Sequence, residues 1–533
     1  MMLAAGYTGW LISQFDRVMR VIHVNPDAAW APVLVADMAT GTSGGKIFVG
    51  EASHLTTIWF LMLTRSFPFR DVLWDWAPYL TFLAGLGLTA WACKRVAGVW
   101  PAMLTLALGA SATATVLLTV MAEGIRGNTF FAVSFLAFAL VWLDETGGGR
   151  LKTAGMWALV VLVAGSTLAS DPLFLAVGLG PLVGAPVVVW LVDRSRQKAL
   201  LALGTLASAG AAVAVSSLIW RVMAGAGFQK NYLTEGYSFA TPQQMLTNAG
   251  EFATHVLALT NGYVSGQPGL NFVPARIAMT GVVLAAAGYG VSLFVRLILR
   301  RRADERIDTA LVLYVAFWLL SAAGTFAAFA VSTFPAGPSD SSRYVIPVFF
   351  ALAAVAPLVG RNRDWGRVAA AAGAIVFCVL SIASREEVFA YERVPGFRAL
   401  MDEGPAIIEF VQSEGATKGY GGYFTSHQLT LMSDLEVYVL PVIACHQPDS
   451  DRLCPFSVNS RTAWYEPEAG IKSFILQDTV SASFIAPGPP ADLGPPSAVE
   501  QFGSLTVTVF DYDVAATFAP PCLRSQTFTC PPK

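Results

Sequence analysis

The chain has 533 residues, 55% hydrophobic and only 13% charged, with a mean hydropathy of +0.56, a balance that excludes an ordinary soluble domain. A formal charge of -2 and a pI near 6.2 exclude the basic excess that phosphate-backbone binding needs, so nucleic acid is not an expected partner.

From the first residue, "MMLAAGYTGWLI" offers about 12 apolar residues, too few to cross ~30 Å of hydrocarbon as helix. No basic segment precedes it and no small-residue cleavage site follows, so it does not read as a signal peptide. It reads as a first span whose beginning is missing or irregular, which makes residues 15 to 76 a large external loop. In that loop "DAAWAPVLVADMA" and "HLTTIWFLMLTRSF" read as short helices that lie at the membrane interface. They carry Asp27, Asp37 and His54, with Glu51 just ahead of the second. Ten residues of helix turn about 1000 degrees, which puts Asp37 roughly 80 degrees away from Asp27 and argues against a catalytic pair.

Apolar runs long enough to span then recur at 77 to 93, 99 to 121, 128 to 143, 153 to 169, 173 to 192, 199 to 223, 275 to 296, 309 to 333, 344 to 360 and 366 to 384. With the N-terminal segment they predict an α-helical polytopic membrane protein of about 11 transmembrane helices. The connections "CKR", "DETGGGRLK", "DRSRQK", "RLILRRRADERID" and "GRNRDWGR" are the basic ones and are placed in the cytoplasm by the positive-inside rule. Every other loop, and the chain after 385, is then extracytoplasmic. The second external loop, 225 to 274, carries Lys230. Shorter outer edges carry Arg126 in "AEGIRGNTF", Asp171 in "ASDPLF", and Arg343 with Tyr344 in "SDSSRYVIP".

Two domains are predicted: a membrane domain over 1–384 and a mixed α/β extracytoplasmic domain over 385–533. In the second, "AIIEFVQSEGATKGYGGYFTSHQLTLMSDLEVYVLPV" reads as helix, Gly-rich turn, helix and strand, and "SFILQD" and "LTVTVFDYDV" add strands. "KGYGGYFTS" lacks the Lys-Ser/Thr ending of a phosphate loop, so its glycines are expected in a turn. Tyr420, Tyr423, Trp464 and Tyr465 are either sugar-stacking rings or buried aromatics. Cys93 and Cys378 lie in or beside spans, whereas Cys445, Cys454, Cys522 and Cys530 form two close pairs in the tail, an even set that suggests disulfides. The simplest pairing is Cys445 with Cys454 and Cys522 with Cys530, one of three connectivities.

Each charged outer residue has a plain reading. A lone Arg at a span end is equally a snorkelling anchor, Asp27 after "NP" an N-cap, Asp171 before Pro172 a turn, and Lys230, His54 and Glu51 solvated. Their convergence on one side is what suggests chemistry. Forked guanidinium donors match phosphate, and a nearby carboxylate is suited to taking a proton from an attacking hydroxyl. A substrate with a phosphorylated head and a tail in lipid fits both. No cofactor is required, and no HxxxH or CxxC cluster calls for a metal, although a carboxylate-held divalent cation stays open.

In layout the chain resembles the GT-C superfamily of membrane glycosyltransferases that use polyprenyl-phosphate sugars, among them protein O-mannosyltransferases and the lipid A aminoarabinose transferase. "NPDAAWAPVLVADM" resembles the family's first-loop acid, which implies that Asp27 is the catalytic base. "EGIRGNTFF" and "SSRYVIPVFFAL" resemble its donor-phosphate segments, implying that role for Arg126 and Arg343, and "GEASHLTTIW" is similar to the start of its second juxtamembrane helix, at His54. Tyr344 and Lys230 join the donor-phosphate set, and Asp37, Glu51, His54 and Asp171 are further candidates for acid–base work or acceptor positioning. The resemblance implies a GT-C-like fold, with inverting transfer of one sugar from a polyprenyl-phosphate donor to a glycan, lipid or protein acceptor, at the outer face of a bacterial cytoplasmic membrane. Abundant Ala, Gly and Val with more Arg than Lys suggest a GC-rich genome, from which arabinofuranose or mannose is the guess for the sugar. Two alternatives remain. An O-antigen-type ligase or polymerase usually keeps its large loop late in the chain, and a lipid-linked-substrate transporter calls for internal repeats and broken helices.

Overall fold

Apolar runs become helices wherever the sequence predicts a span, because in hydrocarbon every backbone N–H and C=O must be bonded within its own segment. The computed structural model describes all residues except 24, 40–44, 51–53, 123, 146–148, 231–238, 265–271, 300–307, 334–341, 362–363, 448–449, 457, 479–492 and 519–533. For 26, 27, 122, 124, 125, 391, 444–447 and 450–452 it describes the backbone alone.

In chain order the helices are α1 (Met2–Ser13), α2 (Phe15–His23), α3 (Pro26–Ala39), α4 (Leu55–Thr64), α5 (Arg70–Ala97), α6 (Val99–Ala110), α7 (Ala114–Ala122), α8 (Gly124–Glu145) and α9 (Arg150–Ser170). They continue as α10 (Gly180–Asp193), α11 (Arg196–Gly225), α12 (Pro242–Leu259), α13 (Val273–Leu299), α14 (Thr309–Val331), α15 (Ser342–Val355), α16 (Asp364–Ala383), α17 (Pro395–Ser413) and α18 (Ser426–Met432). The strands are β1 (Ile47–Val49), β2 (Phe228–Lys230), β3 (Ala416–Gly421), β4 (Tyr438–Gln447), β5 (Ser450–Pro455), β6 (Ser460–Arg461), β7 (Lys472–Asp478), β8 (Ala498–Phe502) and β9 (Leu505–Phe510). Among the described residues 8 helices are long and apolar enough to cross a membrane, or 9 if one bent pair counts as a span. The protein is thus a multi-pass membrane protein, with fewer such helices than the eleven expected.

The chain forms two compact units. The first comprises 1–14, 75–220 and 237–387 and is the helical bundle. Its centre is α14, which packs against α8, α10, α12, α13 and α15 and buries every residue from Leu311 to Trp318. Large apolar side chains on α9, α11, α13 and α16 point outward instead, as hydrocarbon-facing surface does.

Two expected spans are not simple helices. The one at 99–121 breaks after α6, and α7 leaves at 77°. Helix α6 stops at Ser111, and across the break the Thr113 hydroxyl donates to the carbonyl of Leu259, 3.3 Å away. The span at 173–192 opens as a single π-turn, Leu175–Leu179, before α10. Wide turns of this kind often sit at functional sites. Gly324 of α14 faces that turn so closely that a Cβ there would lie 2.4 Å from the Ala176 carbonyl oxygen. Gly324→Ala is therefore expected to cost about 1–3 kcal/mol, read as a fall in melting temperature; an unshifted transition would show that the turn is free to move.

The second unit comprises 15–74, 221–236 and 388–533. The sequence places the first two of these segments with the membrane domain, whereas the structure packs them with the tail. A three-stranded sheet explains the difference. Its order is β2-β1-β6, with Ile47 opposite Phe228 in parallel and opposite Arg461 in antiparallel register, so the first loop, the second loop and the tail share backbone hydrogen bonds. Arg17 of α2 adds a fork to Glu392 at 2.9 and 2.6 Å.

The tail itself holds a six-stranded mixed sheet of order β5-β4-β3-β7-β9-β8, with α17 and α18 packed on its buried face. The glycines of "KGYGG" are not confined to a turn. Gly419 lies inside β3, where a Cβ would come within 2.2 Å of the Phe474 ring. Tyr420, Tyr423 and Trp464 are buried, and the Tyr420 hydroxyl donates to Asp513 at 2.7 Å, so these three rings are core rather than an open sugar platform. Among the cysteines, Cys93 and Cys378 are buried free thiols. Cys454 is disulfide-bonded; the side chain of Cys445, and all of Cys522 and Cys530, lie outside the described residues.

Candidate functional site

Within the bundle, four of the expected residues converge. Arg126 stands in the first turn of α8 and Thr129 three residues later, a spacing that puts both on one face. Asp171 ends α9 in an extended conformation because Pro172 follows. One carboxylate oxygen of Asp171 accepts from the Arg126 guanidinium at 2.8 Å and from the Thr129 hydroxyl at 2.7 Å, while its other oxygen accepts from the Leu173 N–H at 3.0 Å. Both Arg126 and Asp171 are buried. On α15, Tyr344 presents its ring to both arginines, with guanidinium carbons 5.0 Å (Arg126) and 5.1 Å (Arg343) from the centroid. A cation over a tyrosine face is attractive, and one ring here draws two.

Both arginines also line one small cavity, of about 20 Å³. Thr129 lines it with them, together with the apolar Leu173, Trp318 and Phe350. Forked guanidinium donors beside apolar side chains are the groups that suit the phosphorylated head of a lipid. Asp171 has both oxygens engaged, and that geometry orients Arg126 rather than offering a lone pair to a hydroxyl.

The remaining candidates belong to the second unit. Asp27 occupies the first turn of α3, after Asn25, whose carbonyl accepts from Ala28 and Ala29; its side chain lies outside the described residues, as does Glu51 altogether. His54 is buried, takes a left-handed conformation at the start of α4 (φ 50) and meets the edge of the buried Trp30 ring at 5.7 Å. It is therefore not solvated. Lys230 lies on β2 opposite Val49, half-buried, and burial lowers its pKa from the ordinary lysine value. Asp37 is buried too, accepting from Arg461 at 2.5 Å and from the Trp464 indole at 2.9 Å. Sequence reasoning missed Arg461, since a lone Arg in "NSRTAWY" carries no pattern that marks it. Among the described residues no three His, Cys, Asp or Glu side chains gather as a metal site.

Beside this pair lies His427, wholly buried against Trp464 at 5.6 Å and Tyr423 at 6.4 Å. Burial depresses its pKa to about 4. The neutral ring is thus the folded form, so its contribution to stability is complete above about pH 6.5 and is lost as pH falls through about 4. The gap corresponds to roughly 3 kcal/mol. Acidification from pH 6.5 to 4 is expected to destabilise the second unit by that amount, and His427→Phe to flatten the slope. An identical slope in the variant would place the acid sensitivity elsewhere.

Helices in this order, with a strand-bearing tail, are a fold that a solved structure shares. The crystal structure of apo ArnT from Cupriavidus metallidurans shares it at a TM-score of 0.55 and 14% identity, covering 96% of this chain and 99% of that one. The same protein bound to undecaprenyl phosphate aligns at a TM-score of 0.49 and 14% identity over 94% and 98%. No family model and no curated protein sequence matches the chain.

Proposed function

We propose that the protein is an inverting glycosyltransferase that moves one sugar from a polyprenyl-phosphate carrier to a glycan, lipid or protein acceptor at the outer face of a bacterial cytoplasmic membrane. The observation that carries this reading is the pair of arginines that share one tyrosine ring and line one small cavity whose other side chains are mostly apolar. The ArnT fold supports it. Asp27 takes the proton of the acceptor hydroxyl, whose oxygen bonds to the anomeric carbon from the face opposite the phosphate. The bond between that carbon and the phosphate oxygen breaks, and its electron pair leaves with polyprenyl monophosphate. Arg126 and Arg343 stabilise the charge that gathers there, with Asp171 and Thr129 holding Arg126 in place. The basic loops stay cytoplasmic, and the tail and both large loops face outward. Cys445 pairs with Cys454 and Cys522 with Cys530, as suits an oxidising compartment. Arabinofuranose or mannose is the proposed sugar.

Polyprenyl monophosphate, the departing product, tests the site directly. Native mass spectrometry should show it bound to the purified protein and displaced by donor, with unphosphorylated polyprenol binding far more weakly. Equal binding of the alcohol would remove the phosphate role from the arginines.

A further inference from the structure

The proposed base sits at one end of a 14-residue helix, α3, and the buried charge pair at the other. Ten residues separate Asp27 from Asp37, about 15 Å of helix at 1.5 Å per residue. Between them Ala29, Trp30, Ala31, Val33, Leu34 and Val35 are buried. Apolar packing of this kind resists withdrawal into water but is non-directional, so it does little to fix tilt or rotation. Pro32 lies inside the helix and removes one backbone hydrogen bond midway. Asp37 supplies direction. Its carboxylate receives the Arg461 guanidinium and the Trp464 indole N–H, the first from within the β1–β6 pairing and the second from just after it in the tail.

We infer that Asp37, Arg461 and Trp464 form an anchor by which the tail domain sets the orientation of α3, and so are positioning residues for Asp27. A tilt of about 4 degrees at the anchored end moves the far end of a ~15 Å rod by about 1 Å, and a misplacement of that size can cost roughly 100-fold in rate. The tail is then a working part of the transferase rather than an appendage. The inference rests on the sugar-transfer reading.

Removing Arg461 alone strands a buried carboxylate and risks unfolding, so the decisive variant is Asp37→Leu with Arg461→Leu. Replacing a buried ion pair by apolar groups is often neutral for stability. The double variant is expected to melt near the wild-type temperature, to keep its affinity for polyprenyl monophosphate, and to lose about 100-fold in kcat; Arg461→Lys should recover part of the loss. A purely structural pair would leave kcat per folded molecule unchanged, and that result overturns the inference. A second arm needs no turnover: nitroxides at Ala28→Cys and Glu500→Cys should give a narrow distance distribution in the otherwise unaltered protein and a broad one with both leucines present. If no donor is turned over by the wild type, the transfer reading fails, and the distance widths still decide the anchor. Equal widths refute it.

Discussion

Asp27→Asn protein is expected to bind donor as the wild type does and to transfer sugar about 10²–10⁴-fold more slowly, the range that a positioned acid–base group contributes. Asparagine keeps the shape of the side chain and its place in the first turn of α3, so what is lost is the capacity to accept a proton. That first turn also suits a carboxylate, since the free N–H groups there favour negative charge. Single-turnover release of carrier phosphate, set beside an equilibrium binding curve, separates the two effects. Full activity in the variant would move the base to Glu51, His54 or Asp37, and of these Asp37 is committed to Arg461.

The second large effect is expected at Arg343. Its replacement by Ala should lower kcat by about 10²–10³-fold, the usual cost of removing one preorganised donor from a developing charge. Arg126→Ala is a less clean experiment. It strands the buried Asp171 carboxylate, which breaks an ion pair at a cost of about 3–5 kcal/mol in stability. The two variants should therefore be read differently: Arg343→Ala by its loss of rate, Arg126→Ala by a loss of stability as well. Asp171→Asn should fall between them, keeping the bond from Thr129 while loosening Arg126. Paired measurements of melting temperature and kcat check this order, and a stable Arg126→Ala protein would show that Asp171 is held by Thr129 and Leu173 alone.

Much of this was legible in the sequence, and the reasons are physical. Each span is long, apolar and free of acids, so hydropathy finds it, and the same rule puts Arg126 and Arg343 at span ends. Their meeting on Tyr344 follows from the resemblance and from burial rather than from spacing, because α8 and α15 are separated by about two fifths of the chain. The breaks in two spans were hidden, since neither "LGASATAT" nor "DPLFLAVG" interrupts the apolar run for long and the bends depend on partners such as Leu259. The three-stranded sheet was hidden for a different reason. Strands of two or three residues carry no alternation to read, and β1, β2 and β6 are specified only by one another. Arg461 was missed with them, and with it the link between the first loop and the tail.

The central claim is that a polyprenyl-phosphate sugar is the donor. Purified protein in lipid, offered a panel of polyprenyl-phosphate sugars with an extracytoplasmic glycan acceptor, should release polyprenyl monophosphate from one of them, form a glycosidic bond of inverted configuration, and do neither with Asp27→Asn. Carrier release at the same rate from the Asp27→Asn protein, or transfer with the anomeric configuration retained, would contradict the account.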